Sequence, residues 1–226
     1  MSGEGPTRYR YVAVEGVIGV GKTTLVHRLA QRLDARIVLE EFEENPFLPD
    51  FYRDRRAYAL STQLFFLMSR YRQQEVLAQG ELFRARTISD YFFDKDRIFA
   101  LLTLESHELA VYERLFEVLR PQVPRPDLVV YLKADLEVVL SRIAARDRSY
   151  ERGMDPGYMR DLSSAYTDFF RAYRGAPVLT LDTSGVDFRG EVGLFDQVVQ
   201  LIDAGLPPSA LAAQLPTAAP LLPGFA

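Results

Sequence analysis

Tyr11-Val12-Ala13-Val14-Glu15-Gly16-Val17-Ile18-Gly19-Val20-Gly21-Lys22-Thr23-Thr24-Leu25 is the stretch that decides the fold. Tyr11–Glu15 reads as a buried strand running into a glycine loop. Gly16 to Thr23 has the spacing GxxxxGK[ST], the pattern of a phosphate-binding loop. That spacing has a physical cause. Glycines let the backbone fold around an anion without Cβ clashes. Successive N–H groups then point at phosphate oxygens, and the next helix adds positive potential at its N-terminus. Leu25, Leu29 and Leu33 recur at helical spacing and predict that helix over 22–34. The expectation is that Gly16, Val17, Ile18, Gly19, Val20, Gly21, Lys22, Thr23 and Thr24 hold a nucleoside triphosphate. Lys22 would reach its β/γ-phosphates, and the Thr23 hydroxyl would ligate Mg²⁺.

Working outward, short Val/Ile/Leu-rich runs alternate with longer amphipathic ones. Residues 36–39, 86–89, 127–132 and 178–181 are further candidate strands, mostly unalternating, as strands covered on both faces should be. Helices are expected over 62–79, 96–119, 136–146, 158–174 and 191–204. Such alternation predicts an α/β chain of the P-loop NTPase fold: a five-stranded parallel sheet flanked by helices, with a basic lid. At 226 residues the chain suits one domain, placed over 1–204. Residues 1–8 read as a frayed arm. The segment 205–226, with Pro207, Pro208, Pro216, Pro220 and Pro223, cannot be one regular helix and reads as a loose Pro/Ala-rich tail.

Composition removes several classes. With no cysteine, disulfides, thiolate catalysis and cysteine-rich zinc sites are excluded. His27 and His107 are too few and too scattered for a metal cluster. A net charge of −4 argues against a nucleic-acid partner. The first ten residues lack the apolar core of a secretory signal, and no apolar run approaches the roughly 18 residues that span a bilayer. A cytoplasmic protein without a membrane partner is expected.

The loop alone says triphosphate, not reaction. A GTPase needs Asn/Thr-Lys-x-Asp after a strand; Leu132-Lys133-Ala134-Asp135 lacks the first residue, and Asp135 reads as a helix N-cap. A kinase needs a basic lid. Arg142, Arg146, Arg148 and Arg152 cluster on and beyond one helix end, with Arg142 and Arg146 on one face. Such arginines stabilise charge on a transferring phosphoryl group. Glu40 and Glu41 end the second strand and Asp90 the third. Strand carboxyl ends face the ligand crevice in such a sheet. Glu41 and Asp90 should therefore lie near the γ-phosphate, one taking the acceptor proton and the other holding Mg²⁺.

Together these residues resemble the deoxynucleoside kinase family, over about Tyr11 to Phe188 and most closely its bacterial members. The resemblance implies ATP as donor, the 5′-hydroxyl of a deoxynucleoside as acceptor, and a homodimer. It implies that Glu41, in Leu39-Glu40-Glu41-Phe42, is the general base, with Glu40 one residue away. Tyr52 would hold the sugar 3′-hydroxyl, the Gln63 amide would pair with the base, and Arg70 would help read it. Arg146-Asp147-Arg148-Ser149-Tyr150-Glu151 is similar to the family lid, which implies that both arginines touch phosphates and that Glu151 touches the 3′-hydroxyl. Asp187-Phe188 resembles the loop framing the adenine of ATP. The third-strand motif departs from the family, reading Asp90-Tyr91-Phe92 where an arginine usually follows the acid. Lys95 and Arg97 are the candidates to replace it, and both Asp94 and Asp96 are candidates to pair with Arg70. By similarity a purine is favoured, deoxyadenosine first, with deoxyguanosine or deoxycytidine next. A nucleoside-monophosphate kinase and a non-catalytic nucleotide-binding regulator are the alternatives.

Overall fold

Tyr11–Glu15 forms strand β1 with every residue buried, as a strand covered on both faces must be. The computed structural model describes residues 8–79, 86–148, 151 and 154–212. Four strands join β1: β2 (Arg36–Val38), β3 (Thr87–Ser89), β4 (Leu128–Lys133) and β5 (Val178–Asp182). All pairings are parallel, in the order β2-β3-β1-β4-β5. Val12 sits opposite Ile88 on one side and Leu128 on the other. The chain steps outward from β1 to β2 and returns to β3 before crossing to β4. The crevice between β1 and β3 is therefore the topological switch point where ligands bind in such sheets. Gly16 and Asp90 leave the sheet side by side there, because Ala13 is level with Ser89.

The helices are α1 (Lys22–Leu33), α2 (Leu48–Arg53), α3 (Arg55–Gln79), α4 (Asp96–Thr103), α5 (Ser106–Leu119), α6 (Leu136–Arg146), α7 (Pro156–Ala172), α8 (Gly193–Asp203) and the short α9 (Ser209–Ala212). Leu25 and Leu29 of α1 are fully buried in the core, as their spacing requires. From α7, Phe170 stacks on Tyr131 of β4 at 4.2 Å between ring centroids, beside Tyr166. Such a ring pair contributes about 0.5–1.5 kcal/mol beyond its buried area. No helix among the described residues is long and apolar enough to cross a membrane.

The larger differences from the sequence expectation are three, beside shifts of one or two residues at several other ends and the unexpected α2. The helix expected from Thr62 begins at Arg55, one and a half to two turns earlier. The helix expected over 96–119 breaks after Thr103, where Leu104 and Glu105 are extended and Glu105 starts α5 through a reciprocal capping box with Glu108. The segment from Gly205 is not loose at its start. Gly205 turns with φ 62° and its carbonyl accepts from Arg8, while Leu206 O accepts from the Tyr9 hydroxyl at 2.8 Å. The rest of that segment, 213–226, and arm residues 1–7 lie outside the described residues.

Candidate active site

The glycine loop needs its glycines for space as well as conformation. Gly16 has φ +148°, and a Cβ there would stand 2.3 Å from Leu132 O. Gly19 has φ +83°, and a Cβ would stand 2.6 Å from Ile143 Cγ1. Both positions are closed to other residues without backbone movement. Lys22 Nζ donates to Gly16 O at 2.7 Å and Val17 O at 3.1 Å, so its ammonium lies inside the curl of the loop. Val17, Ile18 and Val20 carry the loop into α1, whose first turn contains Thr23 and Thr24. The Thr23 hydroxyl donates to Asp90 Oδ2 at 2.9 Å, and Asp90 Oδ1 accepts the Glu40 N–H at 2.8 Å. One carboxylate after β3 thus ties the first turn of α1 to the segment after β2.

Beside the loop lies a cavity of about 120 Å³, lined by Lys22, Thr23, Glu40, Tyr52, Gln63, Phe66, Arg70, Asp90, Arg146, Arg148 and Glu151, among others. A larger concavity of about 440 Å³, lined by Arg55, Glu105, Asp155 and Asp161, is an open groove that contains no part of the glycine loop. The chemistry belongs to the smaller one.

Its charge comes from an alternating chain of buried side chains. Arg70 Nε donates to Glu40 Oε1 at 2.8 Å, and its other nitrogens reach Glu40 and Asp96. Lys95 Nζ donates to Glu40 Oε2 at 2.7 Å and lies 3.7 Å from Glu15 Oε1. The Tyr112 hydroxyl donates to Asp96 Oδ2 at 2.6 Å. Asp96, Arg70, Lys95 and Glu15 are almost completely buried, and Glu40, which lines the cavity beside Arg70, has 15% of its side chain exposed. Burial would raise the Glu40 pKa, but Arg70 and Lys95 outweigh it and hold the carboxyl at about 2. Burial pushes Glu15 up, against the pull of Lys95.

These placements sort the expected residues. Glu41 is exposed and does not line the cavity; Glu40 does. The cavity position expected for Glu41 is therefore held by the residue before it. The reason is that β2 ends at Val38, and the anchoring bond from Asp90 falls on the Glu40 amide. Tyr52, Gln63 and Arg70 come together as expected. Asp96 pairs with Arg70, whereas Asp94 is drawn away by Arg120 and leaves the site. Of the two candidates to replace the missing arginine, Lys95 donates to Glu40, whereas Arg97 pairs with Glu113 at 2.9 Å. Glu15 and Tyr112 were not singled out from the sequence. A lone acid closing an apolar strand was the available signal for Glu15.

The lid arginines divide in the same way. Arg146 binds both oxygens of Glu151, at 2.6 and 2.7 Å, and Arg148 lies 4.6 Å over the Phe42 ring, 4.0 Å from Glu151. Ser149 and Tyr150, in the same motif, and Arg152 lie outside the described residues. Arg142 does not face the cavity, which corrects its expected contact with the phosphoryl group. Its guanidinium donates to Val20 O at 3.1 Å, Thr183 O at 2.8 Å and Val186 O at 2.7 Å. It clamps the glycine loop to the segment after β5. That segment carries Asp187 and Phe188. The Phe188 ring is buried against Gly21, and its carbonyl accepts from Arg28. Asp187 is exposed, and Arg189, bonded to it, holds its carboxyl at about 2.

Comparison with known proteins agrees with this geometry. A family model described as deoxynucleoside kinase matches residues 12–206. The chain is 34% identical over 183 residues to a deoxyguanosine kinase of Bacillus subtilis, covering 79% of this chain and 88% of the relative. It is 32% identical over 200 residues to a deoxyadenosine/deoxycytidine kinase of the same organism, covering 84% and 90%. The structure of a deoxyadenosine kinase from M. mycoides with bound dATP superposes with a TM-score of 0.73 at 22% identity, covering 84% and 99%, a likeness of fold. The glycine loop, the shared cavity and these matches lead to one conclusion: the chain belongs to the deoxynucleoside kinase family.

Proposed function

We propose that this kinase transfers the γ-phosphate of ATP to the 5′-hydroxyl of a purine deoxynucleoside, deoxyadenosine first, with deoxyguanosine or deoxycytidine next. The observation that carries the reading is that one cavity joins Lys22 and Thr23 of the glycine loop to Glu40, Tyr52, Gln63 and Arg70. Donor and acceptor would meet without either leaving the site. Glu40, ionised at neutral pH, orients the acceptor hydroxyl and takes its proton. A carboxylate held near 2 is a weak base. Phosphoryl transfer through a loose transition state leaves the proton in place until bond formation is advanced, so base strength matters less than position. Lys22, Arg146 and Arg148 offset the charge of the transferred group.

Thr23 and Asp90, two hard oxygen donors already 2.9 Å apart, fit the preferences of Mg²⁺ and would hold it. Bound there, the ion neutralises charge on the donor phosphates. Tyr52 and Glu151 position the sugar. Asp187 and Phe188 frame the donor base.

A nucleoside-monophosphate kinase would need further cations for the acceptor phosphate, and in this cavity Arg70 is committed to Glu40 and Asp96. A non-catalytic regulator would not need a carboxylate at the acceptor position. Radiolabelled ATP offered with each of the four deoxynucleosides tests the reading: labelled 5′-monophosphate is expected, and ATP binding without any product would leave the regulator. The expected homodimer is supported by exposed Val111, Leu115 and Val118 on one face of α5. Sedimentation of a Leu115→Asp variant as a dimer would remove that support. A cytoplasmic location follows from the need for ATP.

A further inference from the structure

Gln63 lines the cavity and is 1% exposed. Its amide has a donor end and an acceptor end, and which of them faces a bound base decides which base is accepted. Thr103, the last residue of α4, settles the question through its single hydroxyl proton. That proton is donated back to the Phe99 carbonyl at 2.7 Å, a bond common for threonine in a helix. The Thr103 oxygen can then only accept, and Gln63 Nε2 donates to it at 3.3 Å. Thr103 is not among the residues lining the cavity. The nitrogen end of the amide is therefore turned out of the cavity, and Oε1 remains, buried and without a donor.

We infer that Thr103 is a specificity-determining positioning residue, which fixes Gln63 with its carbonyl toward the base and selects bases that carry an amine at the six-position of a purine or the four-position of a pyrimidine. The other polar groups nearby do not set this sign. The Thr62 hydroxyl, also buried and unpartnered, can donate or accept. Arg70 has its guanidinium committed to Glu40 and Asp96. A buried acceptor without a donor is costly, so the substrate that supplies one gains over the substrate that does not. Adenine N6 and cytosine N4 bring N–H groups to the ring position where guanine and thymine bring a carbonyl. An oxo group opposite Oε1 sets acceptor against acceptor, so an oxo base satisfies Oε1 only by shifting to bring its neighbouring ring N–H there. The inference rests on the kinase reading above and narrows its substrate order to deoxyadenosine and deoxycytidine ahead of the oxo bases.

The test compares kcat/KM for 2′-deoxyadenosine, 2′-deoxyinosine and purine 2′-deoxyriboside, which differ at the six-position alone or at that position and N1. In the natural chain deoxyadenosine should exceed each of the other two by roughly tenfold or more. Thr103→Val, nearly isosteric, releases the amide to rotate, and the deoxyadenosine-to-deoxyinosine ratio should fall at least fivefold while KM for ATP stays put. Thr103→Ser, which keeps the hydroxyl, should restore the ratio. A purely structural role for Thr103 would lower activity on all three nucleosides alike. An unchanged ratio in Thr103→Val would overturn the inference. So would a natural chain that prefers the oxo base, a result that needs no variant to fold. Absence of turnover on every nucleoside would instead overturn the kinase reading, and this inference with it.

Discussion

Replacing Glu40 with glutamine removes one negative charge and almost nothing else. The charge sits between Arg70 and Lys95, whose side chains are 4% and 3% exposed. Breaking a buried ion pair from one side costs about 3–5 kcal/mol when the partner is left alone. Here neither partner is. Arg70 keeps Asp96, Lys95 keeps Glu15 at 3.7 Å, and the amide oxygen still accepts one bond. A loss nearer to about 2 kcal/mol is expected, within the roughly 5–15 kcal/mol of a typical domain. Loss of the proton acceptor should lower kcat by about 10²–10⁴-fold. KM for ATP should stay within about threefold, because Glu40 acts on the acceptor and not on donor binding. Glu41→Gln, at an exposed position, should leave both constants within about twofold. Initial rates with Mg-ATP and deoxyadenosine, together with urea unfolding of both variants, measure all of this. A larger kcat loss in Glu41→Gln than in Glu40→Gln would refute the reasoning.

Arg142→Met should strip donors from three backbone carbonyls and lower stability by about 2–3 kcal/mol, at about 1 kcal/mol per lost bond. It should raise KM for ATP by loosening the glycine loop, with kcat at saturation within several-fold. A kcat loss of 10²-fold or more at unchanged KM would restore Arg142 to the phosphoryl group. For pH, the folded Glu40 carboxyl lies below its ordinary value, so its contribution to stability is complete above about pH 4.5 and is lost as pH falls toward 2. Urea midpoints at pH 6, 4.5 and 3 should fall over that window in the natural chain and fall less in Glu40→Gln; parallel curves would contradict the assignment.

The frame of the site was legible because its signals are local. GxxxxGK[ST] between an apolar strand and an amphipathic helix sets the loop, and parallel strand ends bring Asp90 to it. Gln63 and Arg70 came from the family resemblance, and their spacing of seven, about two helical turns, agrees with one shared face. What escaped was decided by tertiary contacts. Glu40 and Glu41 are indistinguishable until Asp90 claims one amide. Arg142 and Arg146 share a helix face, but that face spans both the glycine loop and the cavity, and only the latter residue reaches the cavity. Lys95 occupies its place because a 3-10 turn over Phe93–Lys95 brings it back toward β2, a turn that no periodicity announces. The split between α4 and α5 was missed because its capping residue is a glutamate and not one of the usual caps.

The kinase assignment turns on a single cavity that takes donor and acceptor together. A bisubstrate compound, deoxyadenosine joined through its 5′-oxygen and a polyphosphate chain to adenosine, tests it by calorimetry. One compound should bind per chain, displace both ATP and deoxyadenosine, and bind at least 10²-fold tighter than either alone, since the second half binds intramolecularly. Binding no tighter than ATP, with deoxyadenosine still able to enter, would contradict it.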